Sequence, residues 1–442
     1  MFRLSAVSCG MVGLRNRCAG AQRNPAIAPG QRWVAALVAL ASGTLMISTT
    51  RADWPQWRGA QRDDVSTETN LLEQWPEGGP EQLWAIDSLG FGYSGPAIVG
   101  DRLYIMGVRD DHETLLCLNA ADGAELWAAE IGELYHNDWG DGPRSTPTVV
   151  DDRVYVLGGQ GMLCSFDAKS GEKDWSKSLV DDLGGKVPAW GYAESPLVDG
   201  DLIVCTPGGD KGAIAALDRR TGEVRWQSAD LKDGAHYSSM VSAEINGQPQ
   251  YVQLLEKRLV GIEPKSGALL WSEDWPGRVA VIPTPIVHGN EVYVTSGYGA
   301  GSMLVRIGEG NAVEKVYDDK VMKNHHGGVI RVGDYVYGHS DQVGWVCQEW
   351  ETGKAAWRER SGLGKGSCTY ADGMLYCMDE DEGNVALANA SPEGWQEVSR
   401  FQISPKSELD RKRGKIWTHP VVCDGRLYIR DLDHLYAYDI EE

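Results

Sequence analysis

Short alternating runs of apolar and polar residues recur along the chain, each centred on a turn with Gly and Asp. Strands with one buried face alternate in this way, and Gly-Asp or Asp-Gly turns join antiparallel strands. The pattern predicts a series of antiparallel meanders with no helix between the strands. Its clearest copies are residues 96–105, 147–156, 196–204, 285–294 and 420–429, with weaker copies at 329–337 and 368–376.

A nine-residue frame follows most of these runs and has the same composition each time. It begins with an acid or Asn, has Gly at its fifth position and ends with Trp. The first side chain can accept hydrogen bonds from the turn backbone, Gly supplies a positive φ, and the Trp returns on the next strand as a large apolar group. The position two residues before the frame holds only small side chains, so Cys117 and Cys347 are predicted to be buried structural residues. The five copies are 119–127, 167–175, 218–226, 263–271 and 349–357.

The spacing of the tryptophans predicts the number of repeats. From Trp84 to Trp395 they recur at intervals of 38 to 51 residues, except for one gap of 86 between Trp271 and Trp357. That gap is two periods, and we expect Arg306–Gly310 with Tyr317 to form a degenerate repeat inside it. The last meander, 421–439, lacks a fourth strand, which residues 81–86 can supply.

These spacings predict an all-β fold over residues 81–442, an eight-bladed β-propeller of four-stranded antiparallel blades. The ring closes when the N-terminal strand near Trp84 pairs with the C-terminal blade. Closure of this kind removes the two sheet edges that an open array would expose.

The frame Asp-x-x-Thr/Ser-Gly-x-x-x-Trp resembles the Trp-docking repeat of pyrroloquinoline quinone (PQQ) enzymes, over nearly all of the chain after residue 52. Residues 53–59, Asp-Trp-Pro-Gln-Trp-Arg-Gly, are similar to the start of a group of exported planctomycete-type proteins with this repeat. Some of that group carry a polyvinyl-alcohol dehydrogenase label. A non-catalytic relative is the propeller lipoprotein of the outer-membrane β-barrel assembly machine. The resemblance therefore implies the fold and leaves two functions open.

The first 52 residues have the composition of a secretory signal. They contain six Arg and no acid, an apolar run over 33–48, and a small-residue site ending at Ala52. We expect cleavage after Ala52, an N-terminal extension over 53–80, and a periplasmic or secreted monomer with no transmembrane segment. The alternative is an uncleaved membrane anchor, since the run approaches the roughly 20 residues that span a bilayer. The true start could also be Met11.

Charge and cysteine content exclude several functions. The chain has a net charge of −21, and loss of the six leader arginines makes the rest more acidic still. A nucleic-acid partner needs a basic footprint, so none is expected. Seven cysteines follow the leader without a C-x-x-C or C-x-x-C-H motif, which argues against attached haem or a thioredoxin-like role.

Candidate binding residues lie where each innermost strand of a propeller begins, at one mouth of the central channel. These segments are rich in His, Trp and single charges. They could form a pocket for a polar or planar ligand, or simply cap the blade ends and bond to neighbouring loops. The candidates are Trp139, Arg144, Trp190, Tyr192, Glu194, His236, Tyr237, His325, His326, Lys365, Trp417 and His419.

The resemblance to quinoproteins gives some of these residues further roles. Trp190 or Trp417 could stack on PQQ, Arg144 could hold a cofactor carboxylate, and Glu194 could bind calcium or act as the catalytic base. However, alcohol dehydrogenases of this family generally carry an adjacent cysteine pair, which this chain lacks. PQQ with calcium is therefore disfavoured. We expect a binding or assembly propeller for a peptide, saccharide or partner protein, with a PQQ-dependent alcohol dehydrogenase as the alternative.

Two further patterns suggest metal binding only weakly. His325 and His326 are adjacent, and neighbours in an extended segment point to opposite faces. The acidic run 379–384 lacks the full spacing of a calcium loop and falls between two strands. We therefore predict a solvated hairpin tip there and no metal site.

Overall fold

The structure is a computed structural model that describes residues 53–442. The predicted signal peptide, the alternative start at Met11 and the alternative membrane anchor lie outside the described residues. Within 53–442, thirty-two strands form eight four-stranded antiparallel sheets, and the one helical turn is a 3₁₀ turn at Glu309–Asn311. The predicted eight-bladed propeller is confirmed.

Each blade is a meander whose first strand is innermost. Blades 1 and 2 contain β2 (Ala97–Val99), β3 (Arg102–Arg109), β4 (His112–Asn119), β5 (Glu125–Glu133), β6 (Thr148–Val150), β7 (Arg153–Leu157), β8 (Met162–Asp167) and β9 (Lys173–Ser178). Blades 3 and 4 contain β10 (Leu197–Asp199), β11 (Leu202–Cys205), β12 (Ala215–Asp218), β13 (Val224–Gln227), β14 (Val241–Ile245), β15 (Gln248–Leu254), β16 (Arg258–Ile262) and β17 (Leu269–Asp274).

The second half of the ring repeats this order. Blades 5 and 6 contain β18 (Ile286–His288), β19 (Glu291–Ser296), β20 (Gly301–Ile307), β21 (Val313–Asp319), β22 (Ile330–Val332), β23 (Tyr335–Ser340), β24 (Gly344–Glu349) and β25 (Ala355–Glu359). Blades 7 and 8 contain β26 (Gly366–Ala371), β27 (Met374–Asp379), β28 (Asn384–Asn389), β29 (Glu397–Gln402), β30 (Val421–Cys423), β31 (Arg426–Asp431) and β32 (His434–Asp439), and β1 (Glu81–Ile86) completes blade 8.

Ring closure follows the prediction. Strand β1 runs antiparallel to β32, with Trp84 opposite Ala437. The degenerate repeat also lies where the spacing placed it, because Tyr317 on β21 pairs with Leu304 on β20 in blade 5. Blade 7 differs from the expectation: Trp395 lies before β29 and packs on Trp345 and Trp357, while Ser399 occupies the frame position. The number of blades is unaffected.

The strand register explains the small residues before each frame. Each frame Trp lies directly across the strand pair from the small residue two positions before the frame, as Cys117 lies opposite Trp127 and Cys347 opposite Trp357. The broad indole leaves room only for a small neighbour across the ladder. Both cysteines are fully buried, which confirms the predicted structural role.

The frame glycines also have a second reason to be Gly. The ring of Trp175 in blade 2 lies against Gly222 of blade 3, whose φ is +71°, and a Cβ there would come within 2.8 Å of the ring. The indole N–H of Trp175 donates to the Arg219 carbonyl at 3.0 Å. Trp84, Trp226 and Trp357 dock on the next blade in the same way. Each of these four tryptophans thus joins two blades.

Residues 53–66, which we call the channel segment, lie among the inner strands rather than outside the ring. Trp54 pairs with Ile98 of blade 1, and the Trp57 indole N–H donates to Thr284 Oγ1 before β18 at 2.9 Å. Arg62 donates to the carbonyls of Ser195 and Pro196, at 2.7 and 3.1 Å, before β10. Contacts with blades so far apart place the segment in the central channel.

The channel segment is a hairpin-like excursion that enters and leaves at one face. Asp53 at its start accepts the N–H of Gly100 in the β2–β3 turn, and Glu68, two residues beyond its end, accepts the N–H of Gly425 in the β30–β31 turn, both at 2.9 Å. Its apex, Trp57–Arg62, reaches the level at which the inner strands begin. The channel segment therefore occupies the channel and provides the floor of its mouth, which the repeat pattern gave no reason to expect.

Candidate functional site

A cavity opens at the mouth where the inner strands begin. It encloses about 990 Å³ of space between protein atoms, including the part that opens to solvent. Loops from seven of the eight blades line it, and Trp57 of the channel segment lies at its base. The lining residues of this mouth cavity are Trp57, Tyr93, Trp139, Arg144, Trp190, Ala193, Tyr237, Ser239, Ala280, Ile282, Tyr298, His325, His326 and Trp417.

The structure brings seven of the twelve candidates together in this cavity and places five in or behind its wall. Those in the lining are Trp139, Arg144, Trp190, Tyr237, His325, His326 and Trp417. The other five, which make polar contacts with surrounding protein, are Tyr192, Glu194, His236, Lys365 and His419.

One wall is a continuous row of aromatic rings. The ring centroids of Tyr298 and His325 are 4.6 Å apart, those of His325 and His326 are 3.7 Å apart, and those of His326 and Trp417 are 4.5 Å apart. Tyr93 extends the row, 5.1 Å from Trp417. The prediction that the two histidines point to opposite faces is wrong, because β22 begins only at Ile330 and the residues before it are not extended as a strand.

The two histidines in this wall are neutral near pH 7. Burial, followed by the charge of Lys365, lowers the pKa of His326 to about 3, and burial together with His326 lowers the pKa of His325. The Lys365 ammonium lies 2.8 Å from His325 Nδ1 and 2.9 Å from Asp341 Oδ1. The ammonium is always a donor, so His325 Nδ1 accepts and Lys365 orients the ring from behind.

Arg144 is the charged group in the lining. Its two terminal nitrogens donate to the carbonyls of Gly142 and Gly140, at 2.5 and 2.6 Å. The guanidinium carbon lies 4.8 Å from the ring centre of Tyr135 and 5.5 Å from that of Tyr93. No carboxylate among the described residues forms an ion pair with it, and burial lowers its pKa.

Glu194 is turned away from the cavity. Its carboxylate accepts the N–H and the hydroxyl of Thr206, at 2.7 and 3.1 Å, and is 1% exposed. Burial raises its pKa to about 7, against the lowering effects of these hydrogen bonds and of the Arg62 charge. Tyr192 beside it donates to the Pro207 carbonyl at 2.8 Å.

His419 and His236 also make contacts within the protein. The carboxylate oxygen Oδ2 of Asp64 lies 2.9 Å from His419 Nδ1 and 2.9 Å from Arg58 Nε, so this buried trio fastens the channel segment to blade 8. His236 Nδ1 accepts the Val281 N–H at 3.2 Å. The contacts of these two histidines match the alternative in which the candidates cap the blade ends and bond to neighbouring loops.

Half of the cavity lining was not among the candidates. Tyr93, Ala193, Ser239, Ala280 and Ile282 lie in or beside segments that lead into inner strands, so the same rule could have included them. Trp57 comes from the channel segment and Tyr298 from the β19–β20 loop. Neither position could be deduced from the repeat.

The residues present do not fit PQQ with calcium. Calcium needs several oxygen ligands, chiefly carboxylates, and none of the lining side chains is a carboxylate. The candidate ligand Glu194 has both oxygens bonded to Thr206. Within residues 53–442 no group of three or more His, Cys, Asp or Glu is arranged to hold a metal. The acidic run begins with Asp379, whose carboxylate instead caps the β27–β28 turn by accepting backbone N–H groups.

The eight four-stranded blades, the Trp docking frame and the aromatic mouth define a propeller of PQQ-like repeats. The chain belongs to the family described as outer membrane protein assembly factor BamB, whose model matches residues 76–189 and 186–359. The part of the chain that the structure describes contains no helix long and apolar enough to cross a membrane.

Individual relatives agree with this family. BamB of Burkholderia pseudomallei is 25% identical over 281 residues, 54% of this chain and 71% of that protein. BamB of Shewanella oneidensis is 25% identical over 182 residues, 40% of this chain and 42% of that protein.

Two solved structures share the fold. BamB from Moraxella catarrhalis has a TM-score of 0.58 at 16% identity, covering 82% of this chain and all of that one. A quinohemoprotein alcohol dehydrogenase from Comamonas testosteroni has a TM-score of 0.60 at 12% identity, covering 88% of this chain and 80% of that one.

Proposed function

We propose that this protein is an exported binding propeller that holds a ligand or partner in the mouth cavity and acts without redox chemistry. The arrangement that carries the proposal is an aromatic cavity lined from seven blades and floored by the channel segment. Binding sites combine apolar walls with a few placed polar groups in this manner. The relatives named as assembly factors favour a scaffold role, and the leader composition favours a periplasmic or secreted location.

The rim of the cavity supports binding as well. Trp139 and Tyr298 line the cavity and are each 41% exposed, an unusual degree for large aromatic side chains. Val279, next to Ala280 of the lining, is 51% exposed and has a φ of +57°. A β-branched residue is strained at positive φ, and such strain is concentrated at binding sites.

A quinoprotein dehydrogenase is disfavoured by the chemistry of the lining. The cavity offers one guanidinium and neutral histidines but no carboxylate to hold calcium or to accept an alcohol proton. The shared fold with a quinohemoprotein dehydrogenase at 12% identity does not supply these groups.

A melting-temperature screen tests this function. Purified protein is heated with panels of saccharides and peptides and, separately, with PQQ and calcium, followed by a dye-linked alcohol oxidation assay. A ligand at 100 times its Kd stabilises the folded state by about 2.7 kcal/mol, so a binder shifts the transition clearly. We expect such a shift from a saccharide or peptide and no turnover in the quinone assay.

Matched variants locate the site. Trp190→Ala and Trp417→Ala remove cavity walls, whereas Leu126→Ala changes an exposed residue on the outer strand β5. The first two should abolish the ligand-induced shift and the third should leave it intact. Alcohol oxidation with PQQ, or a ligand shift that survives both tryptophan changes, contradicts the proposal.

A further inference from the structure

We propose that the ligand of the mouth cavity is a carboxylate-bearing saccharide, a uronic acid or a short oligomer of one, whose carboxylate binds Arg144. This inference rests on the proposed binding function and specifies the chemistry of the same site.

The distribution of charge indicates an anion. The chain has 63 Asp and Glu against 42 Lys and Arg, yet none of the 14 lining residues is acidic and the one formally charged group is Arg144. Lys365 lies directly behind His325 but is paired with Asp341 at 2.9 Å, so Arg144 is the charge that a ligand in the cavity meets. An acidic protein that keeps carboxylates out of one cavity avoids repelling a negative ligand there.

Arg144 is set up to receive a carboxylate. A guanidinium has five N–H groups, and two of them donate to Gly140 and Gly142. The remaining three have no partner among the described residues, and the group is held between two tyrosine rings. A fixed guanidinium binds a carboxylate with two parallel hydrogen bonds, and such a ligand gives Arg144 the direct ion-pair partner that it lacks among the described residues.

The walls fit sugar rings. Trp57, Trp139, Trp190 and Trp417 all face the cavity, and the negative face of an aromatic ring attracts polarised C–H groups such as those on a pyranose face. Tyr237, Ser239 and the neutral histidines add polar groups for hydroxyls. The cavity opens to solvent at the mouth, so further sugar units of a short oligomer can extend out of it.

A peptide fits the same walls less well. Extended peptides bind by adding a strand to an exposed sheet edge, and here the inner strands border the channel segment, which forms backbone hydrogen bonds with Ile98 and Tyr370. The cavity is lined mainly by side-chain rings rather than by a row of free backbone groups.

Calorimetric titration tests this inference with three probes: a trigalacturonate, a neutral trisaccharide of the same length, and an acidic tripeptide. We expect the trigalacturonate to bind at least tenfold more tightly than either of the others. Arg144→Gln should weaken trigalacturonate binding at least tenfold. Arg144→Lys should weaken it less, because lysine keeps the positive charge but cannot form the two parallel hydrogen bonds of a guanidinium. Arg306→Gln, which removes a guanidinium paired with Glu291 in blade 5, is the control and should change nothing.

The outcomes separate this inference from the function on which it rests. Equal binding of the neutral trisaccharide, or trigalacturonate binding that Arg144→Gln leaves unchanged, overturns the role of the carboxylate. Binding of the peptide alone overturns the saccharide but leaves a binding propeller. Circular dichroism of both Arg144 variants shows whether a loss reflects unfolding of the mouth, and Arg144→Lys binding equal to that of Arg144→Gln in intact protein also counts against the inference.

Discussion

The outer strands and the mouth of this propeller differ in how far they repeat. On the outside, Trp84, Trp175, Trp226 and Trp357 each donate an indole hydrogen bond to a carbonyl of the next blade. At the mouth, each blade contributes different side chains, and the row of aromatic rings in one wall is not repeated from blade to blade. The repeated residues hold blades together, whereas the residues that could bind a ligand lie outside the repeat.

The comparison is sharpened where the frame is incomplete. In blade 5 Tyr317 replaces the Trp and still donates to the next blade, at the Trp350 carbonyl. In blade 7 Ser399 takes the position, and Trp395 reaches Trp357 from a different backbone site. The interface between blades therefore requires a large side chain that extends to the neighbouring blade, and it does not require one residue type.

The largest effect is expected from Trp84→Ala. The ring is 9% exposed, packs near Tyr428 and docks on the first blade, so its loss opens a cavity at the junction that closes the ring. We expect the free energy of unfolding to fall by about 3–5 kcal/mol. Urea denaturation measures it, and a fall below 1 kcal/mol would show that closure does not depend on this ring.

A pair of glycine variants in blade 3 separates backbone strain from contact between blades. Gly222→Ala adds a Cβ within 2.8 Å of Trp175 at a φ of +71°, whereas Gly200→Ala meets nothing within 4 Å at a φ of +56°. We expect losses of about 2–4 kcal/mol for the first and about 1 kcal/mol for the second. Equal losses in urea titrations would refute the contact.

Glu194→Gln should change how stability depends on pH. Burial raises the Glu194 pKa from 4.5 to about 7. The contribution of this carboxyl to the stability of the wild type is therefore fully present below pH 4.5 and is lost as the pH rises through 7. The variant has no such loss, so from pH 5 to pH 8 it should gain on the wild type, by up to about 3 kcal/mol.

Melting curves at the two pH values measure this gain, and the titrating histidines cancel because both proteins have them. Glu113, whose pKa burial likewise raises to about 7, provides a second case in Glu113→Gln. A stability difference that does not change with pH would place the Glu194 carboxyl in contact with water.

Trp139→Ala should have the smallest effect on folding. The ring is 41% exposed at the rim, and surface changes usually stay within about 0.5 kcal/mol. We therefore expect an unchanged melting temperature together with weaker ligand binding in the titrations above. A large loss of stability would mean that the rim ring holds the mouth together instead.

The sequence predicted the part of the structure that repeats. Frame spacing was sufficient for the eight blades, for the degenerate repeat at Tyr317 and for closure at Trp84, since packing between blades imposes the same residue types each time. It located the mouth through the segments before the inner strands. It could not show that Glu194 turns away from the cavity and bonds to Thr206, or that Trp57 reaches the cavity.

The reason is physical. Whether a side chain at the mouth faces the cavity depends on one or two local backbone angles and on contacts with the neighbouring blade. The repeat spacing carries no information about either. The paired histidines illustrate this, since the strand assumed for them begins four residues later. The channel segment occurs once, so its place in the ring had no repeat to reveal it.

Pairing between β1 and β32 makes the order of synthesis matter. The ribosome makes Glu81–Ile86 long before His434–Asp439, so the first strand of the ring stays without its partner while the blades between them are made. The entropic cost of closing a loop rises only slowly with its length, so the long separation adds little to the cost of pairing β1 with β32. Until then both open edges are templates for other strands, and a chain shortened by β32 alone would leave β1 unpaired.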